Sequence, residues 1–184
     1  MIIQKNDYYK LKQTIAKLNS SGEIIGKIDK WDAHRKGILH KALTIALLYK
    51  GSFIIQHRKH PAFDGVFDIT SSSHQLFKNG DLQSTLDAAY ETLKREWNLS
   101  KSDLLYTPRN KGSLYYKAKD DKSEFIEHEL CEILIAEVKQ LPAPNFDFAY
   151  GFSLIKKEEI LNKKSRIYKN LAPWVKKAIS KSMI

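Results

Sequence analysis

The chain has 184 residues, 42% of them hydrophobic and 11% aromatic, which supplies the core of one ordinary domain, and a domain of that size buries roughly two thirds of its unfolded surface. Its 31 Lys and Arg against 21 Asp and Glu give a formal net charge of +10; such a balance favours anionic partners, although a lysine-rich surface produces part of the same excess. One cysteine, Cys131, excludes an internal disulfide, no run of about 18 apolar residues is present to span a membrane, and the first residues lack the apolar stretch of a signal peptide, so a cytoplasmic protein is expected.

Residues 7–19 carry apolar positions near helical spacing and are expected to form an N-terminal helix or arm within residues 1–20. Ser20-Ser21-Gly22 reads as a turn and 23–27 as a short strand. Residues 41–49 and 52–56 are strand-like and flank Lys50-Gly51, a hairpin signal. A basic loop over 57–65 leads to a strand at 66–73 that ends in serines. Asn79-Gly80-Asp81 turns the chain into a helix over 86–99, with Thr85 as cap and Leu86, Ala89, Leu93 and Trp97 on one face. Strands are expected at 114–118, 126–138 and 152–155, a short helix at 156–164 and a C-terminal helix within 165–184. The order suggests one α/β (α+β) domain over 1–184, a mixed sheet with helices on its faces.

His34 and His40 precede the 42–49 strand, and His74 follows the 66–73 strand. Glu127 and Glu129 lie two apart, so on a strand both carboxylates share one face. Adjacent carboxylates repel unless a proton or cation lies between them, and imidazole with carboxylate suits a divalent ion. A solvated Glu face with ordinary surface histidines explains the same spacing.

The stretch 85–99 resembles the helix of the Nudix signature, but Glu91-Thr92 stands where that signature has Arg-Glu and Arg95-Glu96 where it has Glu-Glu, so Glu96 alone keeps its place. Further segments resemble the type I isopentenyl-diphosphate isomerases, Nudix proteins with a similarly reduced helix. These are Lys30 and His34 ahead of Gly37-Ile38-Leu39-His40-Lys41-Ala42, then Ser72-Ser73-His74, Tyr116-Lys117-Ala118, Glu127-His128-Glu129 and Pro173-Trp174, in that order over roughly residues 20 to 180.

The resemblance implies a Nudix fold, a mixed sheet sandwiched between helices. It implies a divalent metal, magnesium with manganese or zinc as alternatives, held by His34, His40, His74, Glu127 and Glu129. It also implies a second magnesium on the substrate diphosphate, anchored by Glu96. Lys30, Arg58 and Lys59 match diphosphate-binding cations, while an arginine of the family's helix falls on Thr92, which removes one phosphate contact. Trp174 would offer its ring face to a developing cation. The family reaction moves a double bond by adding a proton to one carbon and removing one elsewhere. Glu129 with Tyr116 matches one proton-transfer group; the other, a cysteine, is Ser72 here, and a hydroxyl is a far weaker acid than a thiol. Two alternatives follow: a Nudix hydrolase cleaving a diphosphate, or a diphosphate binder without turnover. The expected partner is a small-molecule diphosphate rather than nucleic acid or a membrane, and the expected state is a monomer or homodimer.

Overall fold

The computed structural model describes residues 8–184. β1 (Thr14–Leu18) and β2 (Ile24–Asp29) form an antiparallel pair at one side of a nine-stranded sheet. The turn between them is tied by Asn19, whose Oδ1 accepts from the amides of Ser21 and Glu23. Residues 14–18 therefore correct the expected helix or arm. Ile15, Ala16 and Leu18 are buried, and β1 pairs with β2 and, through Lys17 and His40, with the strand that begins at His40. Pairing on both edges overrides a weak helical period. Residues 9–13 of that expectation are turn and irregular chain, and residues 1–7 lie outside the described residues.

A short helix, α1 (Lys30–Lys36), follows, in a segment with no helical period in its sequence. Its signals are local. The Asp29 carboxylate accepts from the Trp31 and Asp32 amides, and Gly37 closes the helix at φ 58°, a left-handed position that suits glycine. β3 (His40–Tyr49) and β4 (Ser52–Arg58) make the expected hairpin.

The expected 66–73 strand is broken into β5 (Phe67–Asp68) and β6 (Ser71–Ser73). Thr70 lies between them at φ 90°, held there because its hydroxyl donates to the Ile54 carbonyl at 2.7 Å and accepts from the Leu47 amide at 2.9 Å. A β-branched residue in that region is strained, and two buried hydrogen bonds offset the strain. The break pairs β6 with β3, setting Ser72 opposite Thr44. A small hairpin, β7 (Phe77–Lys78) and β8 (Asp81–Leu82), precedes α2 (Thr85–Trp97). Ser84, not Thr85, caps α2, and Leu86 is exposed while Ala89, Leu93 and Trp97 are buried. β9 (Arg109–Lys119) extends the expected 114–118 strand in both directions, and β10 (Ile126–Glu137) falls where expected. β11 (Ala149–Ile155) pairs with β4. α3 (Lys157–Leu161) is shorter than expected, and the C-terminal helix comes as α4 (Arg166–Asn170) and α5 (Pro173–Ser180). Pro173 disfavours a helical residue before it, and the freed Ala172 amide donates to the Phe67 carbonyl at 2.9 Å.

β10 runs parallel to β3 and antiparallel to β9, so the sheet is mixed. Its two faces are filled by alternation. Leu43, Ile45, Leu47, Leu134 and Ala136 pack with Ala89, Leu93 and Trp97 of α2. Ala42, Ala46, Leu114, Cys131 and Ile133 pack with Trp174, Val175 and Ala178 of α5. Along β3 and β10, this second face continues past the core to His40, Glu127 and Glu129.

Candidate metal and diphosphate site

The parallel register sets Glu129 opposite His40, and the antiparallel register sets Glu129 opposite Tyr116. Three neighbouring strands thus present Tyr116, Glu129 and His40 in one row. α1 brings in His34, four residues after Lys30 and on its face, and the chain leaving β6 brings in His74. One ligand atom from each of His34, His40, His74, Glu127 and Glu129 lies within 4.8 Å of all the others.

The protonation of two imidazoles follows from their neighbours. His34 Nδ1 lies 2.6 Å from the Lys30 carbonyl and His40 Nδ1 lies 2.7 Å from the Ile38 carbonyl. A carbonyl only accepts, so each Nδ1 carries the proton, and in the neutral ring each Nε2 is a bare lone pair. Those lone pairs point into the cluster: His34 Nε2 is 3.2 Å from Glu127 Oε2, and His40 Nε2 is 3.2 Å from His74 Nε2 and 3.4 Å from Glu129 Oε1. Glu127 Oε2 is buried with no hydrogen-bond donor among the described residues. Acceptors converging on acceptors need a proton or a cation at the centre, and His/Glu ligands with Nδ1 held by backbone carbonyls fit a divalent ion. The titration pattern agrees. Burial opposes charge on His34, but the Glu127 carboxylate outweighs it and raises the ring's pKa. Burial, with His34 and His40, pushes His74 well down. Glu129 is driven to about 2, since its contacts to His40, Glu127 and Tyr116 overcome the burial that opposes ionisation.

A pocket opens beside this cluster, lined by Ser72, Tyr116, Trp174, Lys30, Arg58 and Arg95 among others. Tyr116 donates its hydroxyl hydrogen to Glu129. Burial first, and then the Glu129 charge, hold that phenol well above its ordinary pKa, so it stays protonated. Ser72 Oγ is 2.8 Å from Thr44 Oγ1, which is 3.4 Å from Cys131 Sγ. Cys131 is fully buried and its thiol pKa is raised by burial, so it lies behind the pocket wall. Trp174 donates its indole N–H to Asp68 at 2.9 Å, and its ring lies 5.4 Å from the Arg58 guanidinium. Lys30 is buried with its ammonium 4.3 Å from the Trp31 ring centre, and burial followed by the Arg95 charge lowers it to about 7.

The structure brings Lys30, His34, Arg58, Ser72, His74, Glu96, Tyr116, Glu127, Glu129 and Trp174 to this pocket, with His40 behind it. It leaves Lys59 outside: that ammonium is exposed and donates to the Phe146 carbonyl at 2.9 Å. Arg95, Tyr8 and Tyr9 also line the pocket, beyond the residues expected from the sequence. For Arg95 a signal existed, because it lies three residues after Thr92 and shares its helix face; the two tyrosines carry none.

No protein-family profile matches the chain. An isopentenyl-diphosphate delta-isomerase of Dinoroseobacter shibae is 26% identical over 153 residues, 81% of this chain and 82% of the relative. Among solved structures, one from Deinococcus radiodurans superposes with a TM-score of 0.64 at 15% identity, covering 89% of this chain and 98% of the other. A MutT Nudix hydrolase of Burkholderia pseudomallei superposes with a TM-score of 0.54 at 12% identity, covering 77% and 96%. Among the described residues, no helix is long and apolar enough to cross a membrane. The mixed sheet between helices, the reduced signature on α2 and these likenesses make this a Nudix-fold chain whose sequence is isopentenyl-diphosphate-isomerase-like.

Proposed function

We propose that the chain is a metal-dependent isomerase that shifts the double bond of a small isoprenoid-type diphosphate such as isopentenyl diphosphate. The observation that carries this reading is the five-ligand His/Glu cluster sharing Glu129 with Tyr116, on the wall of a pocket that also holds Ser72 and Trp174. A divalent ion held by His34, His40, His74, Glu127 and Glu129, with magnesium the expected ion, supplies the positive charge that lets two carboxylates stand ionised together.

The chain's own residues account for the remaining steps. Glu129, ionised and hydrogen-bonded by Tyr116, is placed to exchange a proton with a substrate carbon. Ser72 lies on the same pocket wall as the partner group. One carbon gains a proton, a carbon two positions along loses one, and the double bond moves between them without net change. The Trp174 ring, fixed by its indole N–H on Asp68, faces the charge that develops in between. Lys30 and Arg58 hold the diphosphate, and burial of the site excludes water that would quench the cation.

Hydrolysis is the weaker reading because, of the signature's carboxylate positions, Glu96 alone is kept, and Arg95 is hydrogen-bonded to it. The deciding experiment incubates the protein with magnesium and isopentenyl diphosphate in heavy water. Deuterium in the carbon skeleton without phosphate release supports the isomerase. Phosphate release without deuterium makes it a hydrolase, and binding with neither makes it a non-catalytic binder.

A further inference from the structure

Glu96 is poorly placed to anchor a second magnesium. Its Oε1 accepts from Arg95 Nη2 at 2.8 Å. Its Oε2 accepts from the Ser71 hydroxyl at 2.8 Å and from Gln56 Nε2 at 3.3 Å. Ser71 Oγ in turn accepts from the Trp97 indole at 2.9 Å, so the serine hydrogen is committed to Glu96. Both carboxylate oxygens are taken, and a guanidinium stands where a dication would have to approach. Magnesium demands near-octahedral oxygen coordination. Glu91, the other carboxylate of the signature region, pairs with Lys78 on the exposed side of the helix.

Arg95 is arranged for an anion. Nη2 reaches back one turn, to 3.4 Å from Thr92 Oγ1 and 3.5 Å from Ser73 Oγ. Helical side chains lean toward the N-terminus, so the guanidinium lies over the turn that residue 92 begins. Its Cζ lies over the Tyr8 ring, 4.3 Å from the ring centre. Among the described residues, its buried Nε has no hydrogen-bond partner. A buried N–H without an acceptor is costly, and a phosphate oxygen is its natural complement. Nearby, Arg58 has Asp68 at 3.4 Å, while Lys30 has no carboxylate in an ion pair among the described residues.

We infer that Arg95 replaces the diphosphate-side metal. The chain binds one divalent ion, in the His/Glu cluster, and Arg95 with Lys30 and Arg58 grips the diphosphate directly. The helix arginine missing at Thr92 is thus supplied from one turn further on. This rests on the diphosphate reading for the identity of the ligand. It also separates the chain from hydrolytic chemistry, in which several metal ions bridge the phosphates.

The test uses manganese and inorganic diphosphate. Equilibrium dialysis of the wild-type chain at saturating diphosphate should retain one manganese per chain. Arg95→Gln should weaken diphosphate binding about 10- to 100-fold, the scale of a charge-assisted contact, while manganese affinity without diphosphate stays within about threefold. Arg95→Lys should recover part of the loss. Thr92→Arg added to Arg95→Gln should recover most of it if the double variant folds, and Arg95→Lys keeps the test decisive if it does not. Two manganese ions per wild-type chain, or unchanged diphosphate affinity in Arg95→Gln, overturns the inference whatever the heavy-water assay shows. A wild-type chain that does not bind diphosphate at all overturns this inference and the diphosphate reading together.

Discussion

Tyr116 and Glu129 are direct partners across the β9–β10 ladder, and the phenol donates to a carboxylate that also faces His40 and His74. In the proposed reaction the same carboxylate would serve both the metal cluster and the proton transfer. Tyr116→Phe should separate these duties. Deuterium uptake from heavy water should fall about 10- to 100-fold, a typical loss for one acid–base contact. Metal affinity, read by competition with a coloured chelator, should stay within a few-fold. A parallel loss of metal would mean that Tyr116 only shapes the cluster.

Lys30 gives a pH signature. Burial, and Arg95 after it, lower its pKa to about 7, so the free site loses this charge as pH rises through neutrality. A bound diphosphate favours the charged form, so binding at pH 8 should take up a proton. Its affinity should fall with pH more steeply than in Lys30→Gln, by up to about tenfold per unit. Calorimetry in two buffers of different ionisation heat measures the uptake. Stability runs the other way. Between pH 7 and about 10.4 the unfolded chain binds more protons at this lysine, so its share of folding stability rises with pH. Equal slopes for the two proteins would remove Lys30 from the ligand contact.

Ser72→Cys puts a thiol where a hydroxyl 2.8 Å from Thr44 now stands. If a weak acid limits proton transfer, deuterium uptake should rise roughly tenfold or more, with diphosphate affinity unchanged. An unaltered rate would show that the slow step lies elsewhere.

Gly37→Ala tests how α1 is held. At φ 58°, a Cβ would stand 3.2 Å from Ile126 Cγ2, at the start of the strand that carries Glu127 and Glu129. The substitution should cost about 1–2 kcal/mol. For a chain of this size that is a melting temperature lower by about 2–8 °C. Metal affinity should fall as well, because α1 positions His34. A melting curve without metal isolates the first effect.

Much of the site was legible because its residues repeat local patterns. The two-residue spacing of Glu127 and Glu129 and the alternation of β10 set one face, and that face is where the carboxylates lie. The helix at 85–97 was legible from its apolar stripe. What was not legible came from long-range pairing. Residues 14–18 carry a mild helical period, yet β2 and β3 claim them as strand. Thr70 breaks a strand by hydrogen bonds to residues 16 and 23 positions away, which no local signal reports. Lys59 and Arg95 show the same limit for the site. Both are cations near the expected motifs, and only the path of β4 and the lean of α2 decide which one reaches the pocket.

The parallel pairing of β3 with β10 also bears on when the candidate metal site forms. His40 and Glu129 meet across a separation of 129 − 40 = 89 positions. Contacts of such high sequence separation form slowly and late. During synthesis the three histidines emerge well before either carboxylate. Until β10 docks, the candidate site lacks both carboxylates and has only imidazoles to offer, a ligand type that suits zinc or copper better than magnesium. Any preference of this cluster for a hard ion would therefore belong only to the sheet with β10 in place.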